Sequence, residues 1–111
     1  ETLRRYTGAP PVRKTFLQAL RNDPNAGVRL KAIEGLQSFT GDSEVRSALA
    51  QAAQSDNDPA VRIQALDALI KQRDRSLVGL LQHIMSTTSD EDVRELCSQV
   101  LVQMRASTGS F

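Results

Sequence analysis

Three arginines stand at nearly equal intervals along this chain. Arg29, Arg62 and Arg94 each follow a valine, at Val28, Val61 and Val93, with steps of 33 and then 32 residues. A row of guanidinium groups is an array of planar, permanently charged donors that binds phosphate or carboxylate bidentately. Their helical register points to a different use. At about 100° from the valine, each arginine borders an apolar stripe. Each also lies near an acidic residue of the preceding loop: Asp23, Asp56 or Asp58, or Asp90. The expectation is therefore a structural Arg–carboxylate pair that tethers the loop, a role the Arg fork suits at a half-buried site.

The other chemically versatile residues lack company. His83 has no second ligand at metal spacing, because there is no His-x-x-x-His or Cys–His cluster, and it reads as a surface or partly packed residue. Cys97 follows Leu96 at a position that is small in each repeat, so inert burial is expected. A reactive thiol would need exposure and a nearby cation, for which Arg94 is the neighbour in sequence. The acids Glu91-Asp92 and Asp56 to Asp58 precede helices, where capping and dipole compensation account for them, and general acid–base work needs a cleft as well. With no Gly-rich phosphate loop, nucleophile elbow or triad order, the residues point to a non-enzyme that uses no metal and no cofactor.

The elements that must carry the arginines follow from a second register. Val12, Val45 and Leu77 are also separated by 33 and then 32 residues, so each unit holds two related helical segments. Periods of this size mark stacked helix pairs, in which no unit can bury its own apolar face alone. The alignment predicts first helices at about 10–22, 43–55 and 75–87, and second helices at about 26–39, 59–72 and 91–105. Pro10-Pro11 opens one segment, Asp58 precedes Pro59, and Asp90 precedes Glu91-Asp92. Asn25, Ser43 and Asp74 or Ser76 are the remaining capping candidates, and Gly41 supplies a break between units. Short polar connections make consecutive helices antiparallel.

In the first helices, Val12, Thr15, Phe16, Ala19 and Leu20 align with Val45, Ala48, Leu49, Ala52 and Ala53, then with Leu77, Leu80, Leu81, Ile84 and Met85, as one apolar stripe. In the second helices, Val28, Ala32, Gly35, Leu36 and Phe39 align with Val61, Ala65, Ala68, Leu69 and Gln72, then with Val93, Cys97, Val100, Leu101 and Met104. The small residues Ala32, Ala65 and Cys97 mark close helix approach. The repeat domain spans 10–105. Residues 1–9 read as a tail or the worn end of a preceding helix, and 106–111 as a disordered tail.

Bulk properties agree with a small helical domain. Only 4% of residues are aromatic, so the core is aliphatic, and 14 Lys and Arg nearly balance 13 Asp and Glu without long runs of one sign. That balance leaves no electrostatic footprint for nucleic acid. The single cysteine excludes an intrachain disulfide framework. No apolar run approaches the roughly 20 residues that span a bilayer, and there is no signal-peptide pattern. Compartment stays open. A start at Glu1 rather than Met reads as a piece of a longer protein or a processed chain.

The stretches Asp23-Pro24-Asn25-Ala26-Gly27-Val28-Arg29-Leu30-Lys31-Ala32-Ile33 and Asp58-Pro59-Ala60-Val61-Arg62-Ile63-Gln64-Ala65-Leu66 resemble HEAT repeats. The resemblance covers roughly 10–105 and is to the short bacterial variety related to repeats in phycobilin lyases. The third copy departs from the pattern. Asp90-Glu91-Asp92-Val93-Arg94 lacks the proline, and Glu95, Leu96, Cys97 and Ser98 alter the next turn, as in a terminal repeat. A narrower resemblance, carried by 25–32 and 93–99, is to HEAT segments at the C-terminal end of bacterial membrane-anchored anti-sigma-factor-like proteins. The resemblance implies an all-α, right-handed α-α superhelix of three hairpins whose concave side, lined by second helices, contacts a protein or peptide without catalysis.

The residues themselves indicate a compatible surface. With the core face centred near Ala32, Leu30, Glu34, Gln37 and, at the margin, Lys31 face outward. Their equivalents are Ile63, Asp67, Ile70 and Gln64, then Glu95, Gln99, Val102 and Leu96. Aliphatic residues on such a ridge indicate a contact surface. The opposing reading is that isolated apolar surface residues are ordinary and that neighbouring helices cover some of them. The expected function is a protein-interaction scaffold, as the accessory domain of a bacterial regulatory membrane protein. A nucleic-acid-binding HEAT-like domain is one alternative, opposed by Glu34, Asp67 and Glu95 on the ridge. A phycobilin-lyase-like small-ligand module is the other, and it rests on fold analogy alone.

Overall fold

A computed structural model describes residues 10–71 and 76–108. The expected tail at 1–9, the apolar-face position Gln72 and the capping candidate Asp74 lie outside the described residues. Among the described residues six α-helices follow one another: α1 (Pro10–Asn22), α2 (Ala26–Leu36), α3 (Ser43–Ser55), α4 (Pro59–Ile70), α5 (Ser76–Thr87) and α6 (Glu91–Thr108), with a 3-10 turn at Gln37–Phe39 after α2. No strand occurs among the described residues. The last helix continues to Thr108, past the point where a disordered tail was expected. Nothing between Arg105 and Thr108 breaks a helix, and the glycine comes only at position 109.

Local chemistry starts the second helices in the same way each time. Asn25 Oδ1 accepts from the Gly27 and Val28 amides at 2.7 and 3.3 Å. Asp58 Oδ1 does the same for Ala60 and Val61 at 2.8 and 3.3 Å, with Pro59 in the first turn where its missing N–H costs nothing. Asp90 Oδ1 serves Asp92 and Val93 at 2.9 and 3.2 Å. Two residues earlier, Asp23, Asp56 and Thr88 each accept the capping residue's own amide at 2.9, 2.9 and 3.0 Å. For α3 the cap is Asp42, which accepts from Glu44 and Val45. Ser43, the expected cap, is instead the first helical residue, since the 3-10 turn and the Thr40-Gly41 turn deliver Asp42 in extended geometry.

The helices pair as α1·α2, α3·α4 and α5·α6, while α1, α3 and α5 form one layer and α2, α4 and α6 the other. The result is a slab with principal extents of 54 × 33 × 16 Å. Leu36, Val45, Leu49, Val61, Leu66, Leu81, Ile84, Val93 and Cys97 are fully buried between the layers and between successive hairpins. Four core residues fall outside the expected stripes: Leu17, Ile33, Leu66 and Ile70 are all buried. Conversely Val12, Thr15 and Val28 are exposed, although both valines align with buried residues of later repeats. A helix in a stack is covered by its hairpin partner and by the neighbouring hairpins, so its buried arc is wider than one amphipathic stripe. Among the described residues nothing precedes the first hairpin to cover Val12 and Val28.

One close approach distinguishes the first hairpin. A methyl group added at Gly35 in α2 would overlap the Phe16 ring of α1. The corresponding pairs are Leu49 with Ala68 and Leu81 with Val100, so a bulkier partner on the first helix is matched by a smaller one on the second. Gly35→Ala is therefore expected to destabilise by about 1–3 kcal/mol, because overpacking exceeds the roughly 1 kcal/mol gain in helix propensity. Adding Phe16→Leu should recover most of the loss, and urea unfolding of both single variants and the double variant measures the coupling. Strictly additive effects would contradict this contact.

Candidate functional site

The arginine ladder is resolved as a set of clamps between hairpins. Arg29 Nε and Nη2 donate to Asp56 Oδ2 and Oδ1 at 2.9 and 3.0 Å, Nη2 also reaches Asn57 Oδ1 at 3.1 Å, and Nη1 donates to the Asp23 carbonyl at 2.8 Å. Arg62 repeats the arrangement, with Nε and Nη2 on Asp90 Oδ2 at 2.7 and 2.6 Å and Nη1 on the Asp56 carbonyl at 2.6 Å. The expected direction of the tether is thus corrected. The preceding loop supplies a backbone carbonyl, whereas the carboxylate comes from the loop of the next hairpin. The fork can span two loops because its donors diverge in one plane.

The carboxylate used by each clamp follows from the loop sequence. Arg29 finds Asp56, two residues before the helix cap, but the equivalent position in the third unit is Thr88, which has no charge. Arg62 therefore takes the cap residue Asp90 itself, whose side chain both starts α6 and binds the guanidinium. Arg94, in the third hairpin, has no following loop among the described residues. It donates to the Thr88 carbonyl and pairs with Glu91 on its own helix, not with Asp90. The clamps lose burial in this order: side-chain exposure is 10% for Arg29, 19% for Arg62 and 37% for Arg94. Hydrogen bonding to Asp56 raises the Arg29 pKa against the opposing effect of burial. Asp90 is held below the usual carboxylate range, first by its bond to Arg62 and then by the Val93 and Asp92 amides.

A parallel device on the first helices escaped the sequence reading. Arg13 Nη1 bonds Glu44 Oε1 at 2.9 Å and its Nε lies 3.6 Å from Asp42 Oδ2, so α1 is clamped to the start of α3. Arg46 Nη1 donates to the Thr40 and Gly41 carbonyls, the backward half of the same clamp. Arg13 lowers the Glu44 pKa, with Arg21 contributing at 3.4 Å. The signal was present, since Val12-Arg13 and Val45-Arg46 repeat the dipeptide of the second helices.

The outward ridge is only partly brought together. Leu30, Lys31, Glu34, Gln37 and Gln64 line one groove of ≈ 660 Å³ between α2 and α4, joined by Gly27, Ile33, Ala60 and Lys71. Ile63 is partly buried against the core rather than in the groove, and Asp67 is half-buried and 3.6 Å from Lys71. Ile70 is not on the surface at all, being 8% exposed. It sits at the end of the central helix, which contacts α2, α3 and α6 and so is enclosed on more sides than a single core stripe predicts. Glu95, Gln99 and Val102 are exposed on α6, with Glu95 accepting from Gln99 at 3.1 Å, and do not line the groove. A smaller hollow of ≈ 380 Å³ between α1 and α3 is bordered by Arg21, Gln51 and Asp56.

Cys97 is fully buried, and desolvation pushes its thiol up to about 11, which keeps it protonated and a poor nucleophile at neutral pH. His83 is exposed on α5. Among the described residues no group of His, Cys, Asp or Glu is placed to hold a metal ion, and no helix is long and apolar enough to cross a membrane.

Antiparallel hairpins stacked in two layers and joined by loop-to-helix arginine clamps define an α-solenoid of helical repeats. Residues 13–102 match the family of HEAT repeats, and the chain belongs to that family. HEAT repeats are commonly interaction scaffolds. No curated protein and no solved structure matches the chain.

If the clamps hold the stack together, Arg29→Lys and Arg62→Lys should each lower Tm by about 4–8 °C, whereas Arg94→Lys, whose pair is exposed, should move it far less. Equal shifts at all three positions, read by differential scanning calorimetry, would count against the inter-hairpin role. Acid should act on the same bonds. Because the folded pKa of Asp90 lies below its unfolded value of about 3.9, its contribution is fully present above that pH and disappears as pH falls through the folded value. Asp90→Asn keeps the helix cap but removes the titration. Its Tm is expected to start lower at pH 7 and to fall less steeply below pH 5 than that of the unaltered chain; parallel curves would refute the assignment.

Proposed function

We propose that this chain is a non-catalytic protein-interaction scaffold whose contact surface is the groove between the second helices α2 and α4. The observation that carries the reading is the convergence of Leu30, Lys31, Glu34, Gln37 and Gln64 on one groove in the layer of second helices. Its lining mixes an aliphatic floor with amide and charged rims, a composition suited to a peptide or a helix edge. Lys31 and Lys71 share the lining with Glu34, so the groove has no single-sign field of the kind that phosphate tracking requires. The exposed α6 residues Glu95, Gln99 and Val102 extend the same helix layer as a secondary contact area. On the stretches 25–32 and 93–99, we place the domain as an accessory part of a bacterial regulatory membrane protein of anti-sigma-factor-like type.

The groove is testable without disturbing the core. Lys31 and Gln64 are exposed, so Lys31→Glu with Gln64→Ala should change stability by less than about 1 kcal/mol. The double variant is expected to lose most of its capacity to capture a partner in crosslinking and pull-down, while Lys14→Glu with Gln82→Ala, on the first-helix layer, should retain it. Undiminished capture by the groove variant would assign the contact elsewhere. Ile70→Asp is unsuitable for this purpose because it would bury a charge.

A further inference from the structure

Two sets of corresponding positions differ in which hairpin leaves them exposed. In the first set exposure is confined to the first hairpin. Val12 is 42% exposed where Val45 and Leu77 are 0% and 3%, and Val28 is 40% exposed where Val61 and Val93 are both 0%. These positions face the hairpin before their own. In the second set exposure grows toward the last hairpin: Ile33 and Leu66 are buried but Ser98 is half-buried, and Leu17 is buried but Gln82 is exposed. These positions face the hairpin after.

The two ends therefore differ in chemistry. At the C-terminal flank, Ser98 and Gln82 replace the aliphatic residues that meet the next unit, and Glu95 stands where Leu30 and Ile63 do, as a closing repeat requires. At the N-terminal flank the valines used in the interior interfaces are kept. A second, independent feature coincides with them. Asp23 occupies the place of Asp56, and its Oδ1 is fixed by the Asn25 amide at 2.9 Å just as Asp56 Oδ1 is fixed by Asp58. Asp56 receives Arg29 from the preceding hairpin; among the described residues no guanidinium is bonded to the Asp23 carboxylate.

We propose that the flank of α1 and α2 carrying Val12, Val28 and Asp23 is a docking surface for one further helical hairpin of this same repeat type. The second helix of that hairpin presents an arginine to Asp23 as Arg29 does to Asp56. Charge complementarity and continuity with the two existing interfaces specify this occupant. A second copy of the chain fits less well. Head to tail, it would set Ser98 and Gln82 against the two valines. With N-terminal flanks face to face, it would bring two Asp23 carboxylates toward each other.

The chain's own middle unit provides the probe. Inserting a duplicate of residues 43–75 between Ala9 and Pro10 keeps the step of 33 residues and places the duplicate of Arg62 opposite Asp23. The extended protein should unfold in one transition with Tm raised by about 5–10 °C. In that protein Asp23→Asn should remove about half of the gain and Val28→Asp nearly all of it, whereas each change in the 111-residue chain should move Tm by no more than about 2 °C. An unchanged Tm, a separate lower transition for the added unit, or a gain indifferent to both substitutions would overturn the proposal. So would sedimentation showing that the 111-residue chain is a dimer dissociated by Val28→Asp, which would assign the surface to a second copy.

Discussion

A two-helix hairpin can close the gap between its own helices, but its flanks remain open, and every other feature of this protein answers that constraint. The flanks are closed by aliphatic contact, and the geometry of each contact is set by an arginine. Arg29 and Arg62 reach from the first turn of one second helix to the loop that starts the next, so the spacing of successive hairpins is tied to the reach of a guanidinium. Such pairs are tolerable at low exposure only because their hydrogen-bonding capacity is satisfied; burying an incompletely bonded charge costs several kcal/mol. Among the described residues no buried side-chain nitrogen or oxygen lacks a partner.

The loops consequently do several jobs with few residues. Asp56 turns the chain, holds the Asp58 amide and receives Arg29, while its carbonyl receives Arg62. Asp90 combines the cap of α6 with the clamp, because Thr88 lacks the carboxylate that Asp56 has. Concentrating these duties in the loops leaves the outward residues of the second helices free to vary. There Lys31, Glu34, Gln37 and Gln64 shape a groove together with Leu30, which also packs against the core.

Periodicity conveyed a large part of this. The steps between Val28, Val61 and Val93 located all three hairpins, and Asn25, Asp58 and Asp90 were legible as caps because capping depends on residues within one turn. Burial of Cys97 was legible too, from its alignment with Ala32 and Ala65. The groove was half legible. A projection from a single core stripe turned Leu30 outward, where it is half-buried against the core, sent Ile70 outward although it is buried, and missed Ile33 and Leu66, since it treats each helix as having one buried face. Val28 failed in the opposite sense, being alike in sequence to Val61 and Val93 and unlike them in its neighbours.

What the sequence determined by itself was therefore local or repeated: helix positions, the caps of the second helices, the aliphatic core and the presence of a clamp. Which carboxylate each arginine takes was decided only by tertiary structure. Asp23 lies six residues before Arg29 and Asp56 twenty-seven after it, yet the nearer residue supplies a carbonyl and the farther one the charge. Proximity along the chain ranks the nearer carboxylate first, but stacking brings the next hairpin's loop against the open side of the guanidinium. The same packing separates Val28 from Val61, because burial depends on which neighbours a flank has, and residue type alone does not record it.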